Sequence, residues 1–249
     1  MPPLKDHLSL QLQDISKSFA THTLFEGLSL QIGAKSRIGL IGKNGCGKST
    51  LLKIIMGELE PNEGTITRAP GLRINYLTQE PKITPGLTLE QEMQSVFDEL
   101  NDLTAKEAEI IEEYNQEGLT EDDYMVLAEK LDAVHQEMAR LDAGSMDARI
   151  GKILKGLGFE QADHQRQTTD FSGGWQMRVN LAKILLEDTD VLLMDEPTNH
   201  LDMDACEWLE GFLNEYPGGI VLVSHDRRFL DQVTTHIADL EGGKIRVWT

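Results

Sequence analysis

No apolar run in these 249 residues approaches the roughly 20 that a helix needs to cross a bilayer. The opening stretch, Met1 to Asp6, lacks the apolar core of a signal peptide. Both absences predict a cytoplasmic protein without a membrane partner. Cysteine is scarce: Cys46 and Cys206 lie far apart and suggest neither a disulfide framework nor a metal cluster. Positive charge is in short supply. Lysine and arginine number 23 against 42 aspartates and glutamates, a formal −19, which argues against direct nucleic-acid binding by this chain alone. The remainder is ordinary, with 40% hydrophobic residues, and suffices for one large α/β domain with an insertion or two smaller lobes.

What the sequence does contain is a phosphate-binding loop. An apolar strand pattern, Ile38 to Ile41, runs into Gly42, Lys43, Asn44, Gly45, Cys46, Gly47, Lys48, Ser49 and Thr50, and a helix-friendly run, Leu51 to Met56, follows. Glycines at 42, 45 and 47 let the backbone turn tightly around an anion, while the helix N-terminus adds its partial positive charge. Lys48 would reach the β and γ phosphates and Ser49 would ligate Mg²⁺. A nucleotide triphosphate is the predicted ligand.

Before the loop, Leu8 to Ile32 reads as strands, alternating through "LSLQLQDIS" and continuing around a Gly27 turn, an antiparallel β layer. Phe19, in the turn region between these strands, either packs in the core or stacks on a nucleobase. After the loop, Gly57 ends the helix, "PNEGTIT" turns into a strand, and a second strand, "RINYL", delivers Gln79. Pro81 and Pro85 break the sheet pattern, and Leu89 to about Gly158 reads as helical.

Within that region Leu100, Leu103, Ile110 and Tyr114 share one helical face. After a Gly118 turn, Tyr124, Leu127, Leu131, Val134, Met138 and Leu141 recur three and four apart. Two helices paired along one seam are predicted, with a capping box from Thr120 to Asp123. Residues 98–142 hold 15 acidic and 3 basic side chains, so −12 of the total −19 sits on this hairpin. It is either a solvated insertion or a docking arm.

From Phe171 the chain alternates helix and strand. A Ser-Gly-Gly turn opens a helix, and the apolar strand Val191 to Met194 ends in Asp195 and Glu196. A helix at Asp204 to Asn214, a strand at Ile220 to Ser224 and a helix at Arg227 to Val233 precede a hairpin on Gly242-Gly243, which together predict a parallel sheet flanked by helices. Strand-end Asp195 is placed to hold Mg²⁺ and Glu196 to polarise a water attacking the γ phosphate. His225 emerges at the carboxyl end of its strand, where it matches a γ-phosphate sensor, and Gln79 would contact Mg²⁺ or that water.

The phosphate loop, Gln79, "FSGGW", "VLLMDE", "PTNHLD" and "VSHD" resemble, in order and spacing, an ABC-type ATPase nucleotide-binding domain along nearly the whole chain. "PTNHLD" with "SHDRRFLD" is similar to the ABC-F family, two-domain soluble proteins of which many act on ribosomes. Trp175 resembles the first domain of that family, whereas Phe171 departs from the usual leucine. The resemblance implies one domain over 1–249: an ATP-binding core with the β layer (1–85 and 187–249), and a helical subdomain (86–186) that includes the arm-like hairpin at 98–142. It implies that Phe19 stacks on adenine, that Ser172, Gly173 and Gly174 bind ATP held by another nucleotide-binding domain, and that Asp202 couples the two sites.

Family members continue past a segment like "GGKIRVW" into a basic linker and a second domain. The resemblance thus implies the first domain of a longer protein, or a half-size protein that homodimerises, with weak ATPase activity alone. It also places the hairpin where the family's arm contacts the ribosomal exit-site region. The alternatives are an ATP-binding subunit of a membrane transporter and a non-enzymatic, ATP-dependent regulatory module.

Overall fold

The computed structural model describes residues 8–19, 22–115, 119–140 and 146–248. Two sheets organise it. Strands β1 (Leu8–Phe19), β2 (His22–Gly33) and β4 (Glu63–Arg68) form a three-stranded antiparallel sheet in the order β2-β1-β4. Strands β3 (Arg37–Ile41), β5 (Ile74–Leu77), β6 (Val191–Asp195), β7 (Gly219–Val223), β8 (His236–Glu241) and β9 (Lys244–Trp248) form the second, in the order β5-β6-β7-β3-β8-β9. Pairing there is parallel except for β8 with β9. The antiparallel layer, the parallel sheet and the closing hairpin agree with the expectations from the sequence.

The β layer departs from simple alternation at two places. Buried positions on β1 run Leu10, Leu12, Ile15 because Asp14, at φ 51, is an extra residue bulged out of the ladder with β2. Gly64 on β4 accommodates that bulge: a Cβ there would lie 2.5 Å from the Asp14 carbonyl oxygen. Gly27 is no turn. It sits inside β2 at φ 64, a second bulge that spaces buried Phe25 and Leu28 three apart. A glycine flanked by apolar residues signals a break in the ladder, and only the partner strand decides between turn and bulge.

The helices are α1 (Lys48–Met56), α2 (Leu89–Gln94), α3 (Asp98–Tyr114), α4 (Glu121–Arg140), α5 (Met146–Gly156), α6 (Gly173–Leu186), α7 (Met203–Glu215) and α8 (Arg227–Val233). Helix α1 buries Leu51, Leu52, Ile54 and Ile55 between the two sheets, each worth about 1.5–3 kcal/mol of transfer free energy. Gly57 ends it in the left-handed conformation, its N–H returning to Lys53 and Ile54. The other face of the parallel sheet packs on α2, α5, α6, α7 and α8. Strands β6 and β7 are therefore buried throughout, which explains their unbroken apolar runs.

Helices α3 and α4 form the expected hairpin. Leu127 is buried, Leu103, Ile110, Leu131, Val134 and Met138 are half-buried, and Tyr114 meets Tyr124 edge-on at 4.9 Å. The Leu100 side chain, the Gly118 turn and Leu141 lie outside the described residues. The capping box is present, with Thr120 N–H donating to Asp123 at 2.9 Å and the reciprocal Asp123 N–H to Thr120 Oγ1 at 3.3 Å.

One packing contact makes a direct prediction. A Cβ on Gly156 would stand 2.0 Å from the Trp208 indole, which stacks on Phe212. Gly156→Ala should cost about 1–3 kcal/mol through overpacking, read as a lower urea midpoint with an unchanged slope.

Candidate functional site

The parallel sheet brings the signal residues to one edge. The phosphate loop leaves the carboxyl end of β3, Gln79 follows β5, Glu196 follows β6 and His225 follows β7. These strand ends open on one crevice, the carboxyl ends of the strands being where open parallel sheets bind ligands. A cavity of about 490 Å³ occupies it. Its walls include Asn44, Gly45, Gly47, Lys48, Ser49, Thr50, Gln79, Asp195, Glu196 and His225.

The loop backbone explains its glycines. Gly42, Gly45 and Gly47 have φ 152, 78 and 106, and a Cβ on Gly42 would stand 2.6 Å from the Leu240 carbonyl oxygen. The Lys48 ammonium reaches back to the carbonyls of Gly42 and Lys43, at 2.9 and 3.3 Å, which holds its charge over the loop. Gly42 and Lys43 themselves line an adjoining cavity beside α8, shared with Lys48 and His225. Cys46 packs against the core beneath the loop.

Asp195 and Glu196 receive different environments. Buried Asp195 lies 3.4 Å from the Tyr76 hydroxyl. Glu196 adopts φ 55, its N–H donates to the Val223 carbonyl at 2.9 Å, and its Oε2 accepts from the His225 N–H at 3.2 Å. Its Oε1 is buried with no hydrogen-bond partner, 3.5 Å from His225 Nε2. Burial pushes the Glu196 carboxyl above the usual range; the His225 N–H and ring oppose the shift and Asp195 adds to it. A carboxylate of raised basicity, with one oxygen held and the other free, is equipped to take a proton from water.

The turn Ser172–Gly174 stands apart, and none of its residues is among those lining the cavity. Ser172 is the N-cap of α6 but makes no side-chain capping bond, which leaves its hydroxyl available beside the exposed Gly173. Behind the turn, Arg178 donates to the His200 carbonyl at 2.8 Å, the Leu157 carbonyl at 3.0 Å and Asp202 Oδ2 at 2.8 Å, and its guanidinium lies 4.4 Å from the centre of the Trp175 ring. Asp202 also caps α7 through the Ala205 N–H at 3.0 Å. That N–H first, and then Arg178, holds its carboxyl below the usual range.

Phe19 ends β1, is 49% exposed, and lies under the Lys17 ammonium at 5.3 Å, outside the cavity wall. Three further contributors escaped the sequence reading. Leu24 on β2 lines the cavity without any local signal; Asn199, also lining it, sits inside "PTNHLD"; Tyr76 reads as an ordinary strand aromatic until β5 pairs with β6.

Residues 25–199 match the family described as ABC transporter. The chain is 39% identical over 241 residues to ABC transporter F family member 5 of Arabidopsis thaliana, covering 96% of this chain and 35% of that protein. It is 38% identical over 235 residues to the probable ATP-binding protein YbiT of Escherichia coli O157:H7, covering 94% and 43%. The chain thus spans less than half the length of these relatives. Among solved structures, an ATP-binding subunit of an ABC transporter superposes with TM-score 0.70 at 21% identity, covering 97% of this chain and 90% of that one. A dimeric bacterial ABC transporter cassette gives 0.66 at 20% identity, covering 96% and 98%; at these identities the likeness is one of fold. With the family match spanning most of the chain and the phosphate loop, Asp195 and Glu196 around one cavity, the chain belongs to the ABC transporter family as an ATP-binding domain.

Proposed function

We propose that the chain is the first nucleotide-binding domain of an ABC-F protein that hydrolyses ATP to ADP and phosphate while acting on the ribosome in translation. The observation that carries the hydrolytic part is Glu196, whose buried Oε1 lacks a hydrogen-bond partner, among the residues that line one cavity with Lys48, Gln79 and His225. In this reading the loop N–H groups and Lys48 hold the β and γ phosphates. Oε1 takes a proton from water as the water oxygen attacks the γ phosphorus, and the bond to the bridging oxygen breaks, its electron pair leaving with ADP. The His225 ring stands within reach of the same oxygen and steadies the transferring group.

Ser49, Gln79 and Asp195 present three oxygen donors on adjoining walls, which fits Mg²⁺, a cation that takes few protein carboxylates and completes its shell with phosphate and water. Bound there, the ion neutralises phosphate charge. Phe19 supplies an aromatic face for adenine. Residues 86–186 serve as the helical lobe around a core of 1–85 and 187–249.

The Ser172–Gly174 turn, which does not line the cavity of the chain's own loop, serves ATP held by a second nucleotide-binding domain, supplied by the rest of a longer chain or by another copy. The dimeric cassette of like fold supports that arrangement, and Asp202 couples the two sites. The acidic hairpin suits a basic protein surface rather than RNA. Two measurements test this. Lys48→Ala should weaken Mg-ATP binding by at least about tenfold, and equal affinity would sink the nucleotide assignment. Glutamine and asparagine replacements of hairpin carboxylates should abolish co-sedimentation of the full-length protein with ribosomes without lowering its affinity for naked ribosomal RNA; unchanged co-sedimentation would sink the arm role.

A further inference from the structure

Ile15, Lys17 and Phe19 alternate onto one face of β1, the first buried, the second half-buried and the third exposed, so the row that packs in the core at Ile15 runs out past its edge at Phe19. This end of β1 is tied to the connection after α1, the helix that the phosphate loop opens. The Asn62 N–H donates to the Ser16 carbonyl at 2.8 Å, and the Ser18 N–H donates to Asn62 Oδ1 at 2.8 Å. Between them the Lys17 ammonium donates to the Glu60 carbonyl at 2.7 Å, and the same ammonium stands over the Phe19 ring, 5.3 Å from its centre. In a chain with 42 acidic residues, the contacts of this lysine are a carbonyl and an aromatic face rather than a carboxylate.

A cation held there acts on the ring in two ways. It covers one face and leaves the other for a base, and it draws π density toward itself, so that the open face repels the electron-rich face of a purine less. A ring held in place before the ligand arrives also costs less to order on binding. We infer that Lys17 is a positioning residue for the nucleobase: held by the Glu60 carbonyl, it fixes the Phe19 ring, presents one face of it to the purine and strengthens that stack. Its effect on ATP passes through Phe19 and not through the phosphates. This rests on the reading of Phe19 as the platform for adenine.

Titration of Mg-ATP into the wild type, Lys17→Met, Phe19→Leu and the double variant tests it as a cycle. Lys17→Met, which keeps the length of the stem and loses the charge, should weaken ATP by about threefold or more. Phe19→Leu should weaken it at least as much, and adding Lys17→Met to Phe19→Leu should cost nothing further. Lys17→Arg should bind ATP as the wild type does, because a guanidinium both donates to a carbonyl and lies over an aromatic face. A loss from Lys17→Met that persists without Phe19 would make Lys17 a plain positive charge acting on the phosphates, and overturns the inference. An ATP affinity unchanged in Lys17→Met overturns it too, as does Lys17→Arg binding no better than Lys17→Met. Unchanged affinity in Phe19→Leu removes the adenine platform and the inference with it, whereas a wild-type chain that binds no ATP removes the cavity reading itself.

Discussion

Glu196→Gln should retain ATP while losing turnover by about 10² to 10⁴-fold, the range for removing a positioned general base. The amide keeps the shape of the side chain, the bond from the His225 N–H and the φ 55 backbone, but Oε1 or its replacement can no longer accept a proton from water. Single-turnover hydrolysis beside an ATP-binding titration separates the two effects, and a rate within a few-fold of wild type would remove Glu196 from the chemistry. The wild-type rate should rise with pH through the elevated pKa of this carboxyl, since only the ionised form is a base.

The same variant should be more stable than wild type at neutral pH. A group whose pKa is raised by folding stabilises the fold only when protonated; that contribution is complete below the unfolded carboxyl range and lost as pH rises through the raised value. At pH 7 the ionised, half-satisfied Glu196 is therefore a cost that the neutral amide removes. Melting curves should show the advantage at pH 7 to 8 and its disappearance below about pH 4. Light scattering of this variant with Mg-ATP then reports whether one chain supplies both halves of a composite site: a dimer would mean that it does, and an ATP-bound monomer that the partner surface belongs to a second domain.

Arg178→Ala should destabilise the chain by about 2–4 kcal/mol, because the buried carbonyl of Leu157 and the part-buried carbonyl of His200 lose their donor and the cation over Trp175 disappears. For a domain of this size that corresponds to a melting temperature lower by roughly 5–15 °C. The loss is also local. Arg178 is the bolt between the helix that opens at Ser172 and the segment 200–202, so amide exchange over 172–178 and 199–205 should accelerate together. Arg178→Lys should rescue little, since one ammonium cannot reach three acceptors set around a planar fork. Asp202→Asn should do less than Arg178→Ala, because Asp202 is 59% exposed and the amide forfeits one acceptor, to either the Ala205 N–H or the Arg178 guanidinium, while the Leu157 and His200 carbonyls keep their donor. The Asp202 carboxyl, held below its ordinary range, contributes stability above the unfolded value that is lost as pH falls through the folded one, so the Arg178 bridge should loosen only in strong acid. If both variants melt alike, the bridge matters only through its charge pair.

Much of the site was legible because its chemistry is local. A loop that must approach a phosphate needs glycine where φ is positive, as at 42, 45 and 47, and a carboxylate that must face the crevice has to stand at the end of an apolar strand, as Asp195 does. The amphipathic hairpin was readable for the same reason, its seam being written at helical spacing in each helix separately. Tertiary structure alone decided what depends on a partner distant in sequence. Gly27 is a bulge because β1 lies beside β2; the Tyr76 hydroxyl faces Asp195 because β5 lies beside β6; Arg178 meets Asp202 because α6 packs behind the 200–202 segment. Glu92 and Lys183, 91 residues apart, carry opposite charges that look solvated in the sequence, and only the packing of α2 on α6 buries the carboxylate against the ammonium.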